Sequence, residues 1–548
     1  MKPDLLGLLA FGFAGASALA VFLRPERRPV WTSRTFFLLL LAGALFTGQQ
    51  RAIRANFQLW NPDESHMIGG ALTLRARPVF WRDVDGNSHG PLNQFPLLAP
   101  ALLGFRVDYT SARIVGAVIN ILTLLAVQMA LAAWCSEGAG RLLVLPAWAL
   151  FIFNQDPEIA QYTTEQFSAM LVAVAAAVAA RVLAAGRWRP GQLWAAGLLC
   201  GAAPLGKLQS LPIAAWIFVC LAGYLAWQSR RTGASPWRPL AGLVVAALVP
   251  AVLIVGFTAW HGAFFDFRIR FLDAYLIGYT TGEVDFFTIA PPYPGLLFGL
   301  PQFLWPLIGG LLLAGAGLAW QRRPPPAALL ILTAGTLLAA VAAIYLPRKP
   351  FGHYFMLLPG PLLLLLGTVA GPLLDGWRTS AFRAVAGLTA LVGLSGLFVA
   401  HHFRHPEAFH RLVLQRPAIP QTLIEAVQRH VAPGELFAIW GWQPALQVFS
   451  QTVSSTRDIV TFWQIAPSAW RDYYRASYLR DITARPPVVF VDTTGPGDFA
   501  FHHAPSYRHE NFPELADFIR RNYVLTETVA GCRIYIRRER AAPPPSAL

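Results

Sequence analysis

Long apolar runs, separated by short polar breaks, set the pattern of this chain. Runs of roughly 18 residues or more, each long enough to cross a hydrocarbon layer, recur along most of its length. Spans are predicted near 5–23, 35–50, 110–134, 141–153, 166–185, 192–206, 208–227, 239–260, 294–320, 327–346, 354–373 and 384–402. The count is about twelve. The fourth is short, and the sixth and seventh read equally as one broken hairpin. The breaks alternate in character. One set is short and arginine-bearing: Arg24, Arg27, Arg28 and Arg34; Arg141; Arg187 and Arg189; Arg230, Arg231 and Arg238; Arg322 and Arg323; Arg378 and Arg383. Arginine in short loops marks the cytoplasmic side. The other set then faces outward: 51–109, 154–165, the turn at Lys207, 261–293, 347–353 and everything after about 403. The N-terminal run lacks a good small-residue cleavage site and an arginine cluster follows it, so it reads as a retained span.

Beyond residue 403 the long apolar runs stop and charged and aromatic residues rise. Glu435–Trp440 and Val488–Asp492 read as strands, the second followed by the loop Thr493–Gly497. Glu514–Tyr523 reads as a helix. Val524–Val529 and Cys532–Arg537, with Gly531 between them, read as a closing hairpin. The predicted organisation is a transmembrane domain over 1–402, whose first outward loop (51–109) carries juxtamembrane helices. An extracytoplasmic α/β domain over 403–540 and a proline-rich, disordered tail over 541–548 follow. No internal repeat is visible.

Composition agrees with a polytopic membrane protein. Of 548 residues, 55% are hydrophobic and 13% charged, against about 25% charged in soluble proteins. The net charge of +15 sits mostly in the short loops, so anionic headgroups and lipid phosphates, not nucleic acid, are the expected partners. Cys135, Cys200, Cys220 and Cys532 have no metal-ligand spacing, and no structural disulfide is expected.

The outward segments hold the chemistry. Asn61-Pro62-Asp63-Glu64-Ser65-His66 lies a few residues past the second span. Asn61 reads as a helix N-cap and Pro62 as a first-turn residue. Asp63 and Glu64 then lie in the first turn, with His66 on the side of Asp63. Such acids serve a helix dipole, or a general base at the lipid–water boundary. Further on, Asp85, Asn87, His89 and Asn93 lie in a turn shaped by Gly86, Gly90 and Pro91. His66 and His89 with a carboxylate offer a divalent-metal donor set, although their spacing matches no known ligand pattern. Glu165 stands at the mouth of a span, where a carboxylate faces a cavity or partner more readily than lipid. Lys207, between two apolar runs, either snorkels to the interface or binds a phosphate reaching in from the bilayer. Arg348 and Lys349 occupy a short outward turn ahead of His353 and Tyr354. Cations there run against the inside-positive trend and suit phosphate neutralisation.

Together these residues resemble the membrane glycosyltransferases of the GT-C class, and most of all glycosyltransferase family 39. That family contains the bacterial relatives of protein O-mannosyltransferases and the aminoarabinose transferases that modify lipid A. The family's Asp-Glu pair is matched by Asp63-Glu64, and its His-Pro-Pro-Leu-like segment by His89-Gly90-Pro91-Leu92, with Gly90 a departure. Its span-opening arginine is matched by Arg113. Its second-loop acid is matched by Glu165, with Asp156 and Glu158 as substitutes. The turn from Arg348 to His353-Tyr354 and the C-terminal domain are similar too.

The resemblance implies a sugar donor on polyprenyl phosphate and a glycan, lipid or protein hydroxyl as acceptor. It also implies an inverting mechanism on the periplasmic face of a bacterial inner membrane. Asp63 would be the base, and Glu64 or Glu165 would orient the acceptor or hold a cation. Lys207, Arg348, His353 and Tyr354 would meet the donor phosphate. His66, Asp85, His89, Asn93 and Arg113 would shape the loop or the acceptor site, and Asp63, Glu165 and His89 are the candidate metal ligands. A transporter or lipid flippase is the competing class, but its sites belong near mid-membrane on broken helices. A non-catalytic assembly protein, docking through its C-terminal domain, would leave the outward charges scattered.

Overall fold

The computed structural model describes residues 3–24, 29–59, 62–86, 89–154, 156–279, 309–313, 315–317, 319, 325–347, 351–377, 392–400, 402–403 and 419–541. In chain order its longer helices are α1 (Pro3–Leu23), α2 (Arg34–Gly48), α3 (Asp63–Ala76), α4 (Tyr109–Leu131), α5 (Glu137–Phe153), α6 (Gln166–Ala185) and α7 (Pro190–Gly206). They continue as α8 (Leu211–Thr232), α9 (Trp237–Trp260), α10 (Ala327–Tyr345), α11 (Pro359–Trp377), α12 (Gln421–Gln428), α13 (Arg471–Ala484) and α14 (Pro513–Asn522). Seven helical stretches among the described residues are long and apolar enough to cross a membrane. Helix α2, at 15 residues, is a shorter apolar helix. Most of the predicted span 294–320 lies outside the described residues.

The chain folds as two compact units. The first comprises Met1–Arg54, Arg113–Leu253 and Pro294–Leu412. Within it α1 pairs with α2, α5 packs on both, α6 with α7, and α10 with α8 and α11. Helix ends sort by polarity. At one end Glu137 binds Arg34 (2.7 Å) and Arg141 (2.5 Å), while Ser136 N–H donates to Asp375 (2.7 Å). At the other end Arg51 binds Asp4 (3.0 Å), and Gln49 donates to the carbonyl of Phe151 (2.6 Å). Small residues let helices meet closely, as is common within membranes. A Cβ at Gly197 would lie 2.5 Å from the Leu243 carbonyl, and one at Gly201 1.9 Å from that of Ala247.

The second unit comprises Ala55–Ala112, Ile254–Tyr293 and Val413–Leu548. Its sheet has strands β1 (Leu436–Trp440), β2 (Val453–Ser454), β3 (Val489–Asp492), β4 (Tyr523–Val529) and β5 (Cys532–Arg537), ordered β2-β1-β3-β5-β4. β1 is parallel to β2 and β3, and β5 antiparallel to β3 and β4. Both β1 and β3 are apolar runs, as strands covered on both faces must be. The β4–β5 turn places Ala530 (φ 51°) and Gly531 (φ 83°) in the left-handed region, the geometry of a tight hairpin. Helix α3 belongs to this unit and packs on β2 and on the short helix Ala445–Ser450.

Candidate active-site residues

Helix α3 opens on Asp63 and Glu64, with Pro62 at the N-cap position. The sequence predicts Asn61 there; Asn61 lies outside the described residues, and Pro62 precedes the first helical turn. Every residue from Glu64 to Leu74 is buried, while Asp63 is half-buried. A helix covered on all sides needs no apolar stripe, and α3 has none. Two glycines let neighbours close in: a Cβ at Gly70 would sit 2.1 Å from the Gln94 amide, and one at Gly69 3.0 Å from Gln447 Oε1.

One turn beyond Asp63, His66 donates from Nε2 to the Asp85 carbonyl (3.0 Å). A carbonyl only accepts, so Nε2 carries the proton. Burial holds His66 below its ordinary pKa, against the opposing charges of Asp63 and Asp85. Its ring stands edge-on to His89 (5.6 Å), whose Nε2 accepts from the Gln94 amide (3.1 Å). Asn93 is fully buried nearby in sequence.

Asp85 has a further partner that sequence reasoning missed. Its carboxylate binds Arg270 (2.7 Å), which also binds Asp458 (2.6 Å), donates to Ser477 Oγ (2.5 Å) and lies 4.4 Å over the Tyr474 ring. Burial, more than the neighbouring Asp85 charge, pushes the Asp458 carboxyl up to about 6, while Arg270 opposes it. Arg457 makes a second tie, to Asp481 (2.8 Å), Asp266 (2.8 Å) and the Trp81 carbonyl (3.1 Å). These two arginines join the first outward segment, the 261–293 segment and the C-terminal sheet domain within this unit. A signal for Arg270 existed: it is an arginine in a segment read as outward, the argument already applied to Arg348.

In the first unit, three turns far apart in sequence meet. Glu165 occupies the N-cap position of α6, and Lys207 the C-cap of α7. Lys207 Nζ lies 3.3 Å from Glu165 Oε1 and 3.0 Å from Thr164 Oγ1. It also sits 5.7 Å from the ring centre of Tyr354. The Lys207 side chain is 2% exposed and that of Glu165 0%, so the lysine is buried and does not snorkel. Burial alone would push the Glu165 carboxyl up; the charges of Lys207 and His353 and the Thr164 hydroxyl outweigh it and hold the carboxyl below its ordinary value. The second oxygen of Glu165 is buried with no hydrogen-bond partner among the described residues. Beside this pair His353 Nδ1 contacts the Glu158 carboxylate, and the Phe351 ring stacks on His353 at 5.5 Å. Burial, then the Glu158 charge, pushes Asp156 up to about 6. Arg113 is buried in the same unit and donates to the Ala52 carbonyl (2.7 Å). Arg348 and Lys349 lie outside the described residues.

Among the described residues, one group of acids and histidine has ligand atoms within 4.8 Å of one another: Asp492, His509 and Glu510. Arg533 already binds Asp492 (2.7 Å) and Glu510 (2.6 Å), so a resident cation fills the role a metal would take. Glu165 likewise fits a divalent ion poorly, because an ammonium stands 3.3 Å away.

No protein-family model matches this chain, and no curated protein matches its sequence. Solved structures do. ArnT from Cupriavidus metallidurans, bound to undecaprenyl phosphate, superposes with a TM-score of 0.60 at 14% identity, covering 93% of this chain and 100% of that one. The same protein in its apo state gives 0.56 at 14% identity, covering 93% and 99%. This is a likeness of fold, over nearly the full length of both chains. The chain is therefore an α-helical polytopic membrane protein with a small C-terminal sheet domain, built on the GT-C fold in the form seen in ArnT.

Proposed function

We propose that this protein is an inverting glycosyltransferase that takes a sugar from a polyprenyl-phosphate carrier and moves it to a hydroxyl acceptor. The observation that carries this reading is the buried Lys207–Glu165 pair, with Tyr354 and the Glu158–His353 contact beside it, at the ends of apolar helices. Charges withdrawn from water at such a place are costly, and they persist where function needs them. The ArnT fold supports the same reading, since one ArnT structure holds undecaprenyl phosphate.

The acceptor oxygen attacks the anomeric carbon as the bond from that carbon to the phosphate oxygen breaks. The phosphate leaves with the bonding electrons, and Asp63 takes the acceptor proton. Lys207, Arg348 and His353 neutralise the charge that grows on the phosphate, with Tyr354 beside Lys207. Glu64 or Glu165 orients the acceptor, for which the unpartnered oxygen of Glu165 is suited. No step is assigned to a metal. The transfer takes place on the periplasmic side of a bacterial inner membrane, where lipid, glycan or protein acceptors are available.

The test is a panel of polyprenyl-phosphate sugars, each offered to purified protein with a simple alcohol acceptor. One donor is expected to lose its sugar, giving a product of inverted anomeric configuration by NMR. Retained configuration would remove the single-displacement mechanism. Intact donors throughout, with folded protein, would remove the reading itself.

A further inference from the structure

Helix α3 is gripped from the C-terminal sheet domain by directional hydrogen bonds as well as by packing. Gln447, fully buried on the short helix Ala445–Ser450, sends its amide nitrogen to the Gly69 carbonyl (3.1 Å) and Thr73 Oγ1 (3.0 Å). The same nitrogen reaches its own domain at the Thr452 carbonyl (3.2 Å). Ser454 N–H donates to the same Thr73 hydroxyl (3.1 Å), and Arg77, just past the helix, donates to the Ser454 carbonyl. Gly69 is the residue that lets the amide approach, since a Cβ there would press on Gln447 Oε1 at 3.0 Å.

The contact does not rescue an orphan group. Within a helix the Gly69 carbonyl already faces the N–H four residues on, and it also accepts from the Thr73 hydroxyl (3.0 Å). A leucine or methionine would fill the volume. What the amide adds is direction: it ties one helical turn to the edge of the sheet through β2. At the other end of α3, His66 is tied to the Asp85 carbonyl, and Ser65 Oγ bonds Gln58 (2.9 Å) and Tyr109 (2.8 Å).

We infer that Gln447, acting with Thr73, is a positioning residue for Asp63: the C-terminal domain sets the aim of the helix that carries the base. The inference rests on the reading of Asp63 as that base. Gly69 and Thr73 lie about 9 and 15 Å along the helix axis from Asp63. A tilt of about 4–6° at those points therefore moves Asp63 by about 1 Å, enough to cost on the order of 100-fold in rate.

The test compares Gln447→Met, Thr73→Val and Thr73→Ser with Asp63→Asn in lipid nanodiscs. Donor turnover and binding of bare polyprenyl phosphate are measured on protein verified as folded. Thr73→Val keeps the shape and loses the hydroxyl, and so tests the grip even if Gln447→Met fails to fold. The expected result is a kcat lowered about 10- to 100-fold in Gln447→Met and Thr73→Val. Donor KM and polyprenyl-phosphate affinity stay unchanged, and Thr73→Ser restores the rate. Wild-type kcat in Thr73→Val, or a loss seen in KM alone, overturns the inference, while an inactive Asp63→Asn leaves the base assignment standing. An active Asp63→Asn overturns both.

Discussion

A lysine and a glutamate drawn together out of water gain attraction but lose hydration, and removing one partner is far worse than removing both. Lys207 and Glu165 are such a pair. Lys207→Met should destabilise the protein by about 3–5 kcal/mol by stranding a buried carboxylate. Adding Glu165→Gln should recover most of that stability, as read by thermal melting. Binding of polyprenyl phosphate should stay weak in both variants, because the ammonium is gone from each. Recovery of stability with recovery of binding would show that Lys207 serves only the fold. Both residues were legible in the sequence, because a charge at the mouth of an apolar run stands out against its surroundings. Asp85 was legible only as a polar loop residue. Its partner Arg270 is 185 positions away, and neither periodicity nor local spacing reports an ion pair of that reach.

Elements differ in how openly they announce themselves. The apolar helices and the strands β1, β3, β4 and β5 follow from run length and bounding glycines, and for the elements among the described residues the predicted bounds agree within a few residues. Strand β2 has two residues, too few for any period. Helix α13 hides for another reason: its buried face consists of Tyr474, Ser477, Tyr478, Asp481 and Ile482, a polar face that packs on the arginine ties. The close helix crossing at Gly201 gives a prediction at this scale. Gly201→Ala puts a methyl group against the Ala247 carbonyl, and backbone cannot step aside as a side chain can. A loss of about 1–3 kcal/mol is expected from such overpacking, seen as a lower melting temperature. Gly223→Ala, where the space is open, is the control and should melt as wild type or slightly higher.

At the scale of the molecule, three stretches far apart in sequence form one compact unit, and Arg270 ties them at a single guanidinium. Arg270→Met should leave Asp85 and Asp458 facing each other without a cation. The sign of its pH dependence follows from the raised Asp458 carboxyl. A carboxyl held above its unfolded value of about 3.8 binds its proton more tightly when folded. Its contribution to stability is thus greatest at low pH and is lost as pH rises through about 6. Without Arg270 the Asp458 carboxyl rises further, so the variant should be markedly less stable than wild type at pH 8 and closer to it at pH 5. Hydrogen exchange over 81–89 and 264–279 would read this locally. A defect that grows as the pH falls would contradict the assignment.

Chemistry at a lipid-linked phosphate is measured most directly by cleavage of the bond between the sugar and that phosphate. Purified protein in nanodiscs is given polyprenyl-phosphate sugars labelled in the sugar, and loss of label from the lipid is followed with time. Wild type is predicted to release sugar from at least one donor, with Asp63→Asn and Lys207→Ala each slower by about 100-fold or more. Release at the wild-type rate by both folded variants, or no release from any donor by folded wild type, would contradict it.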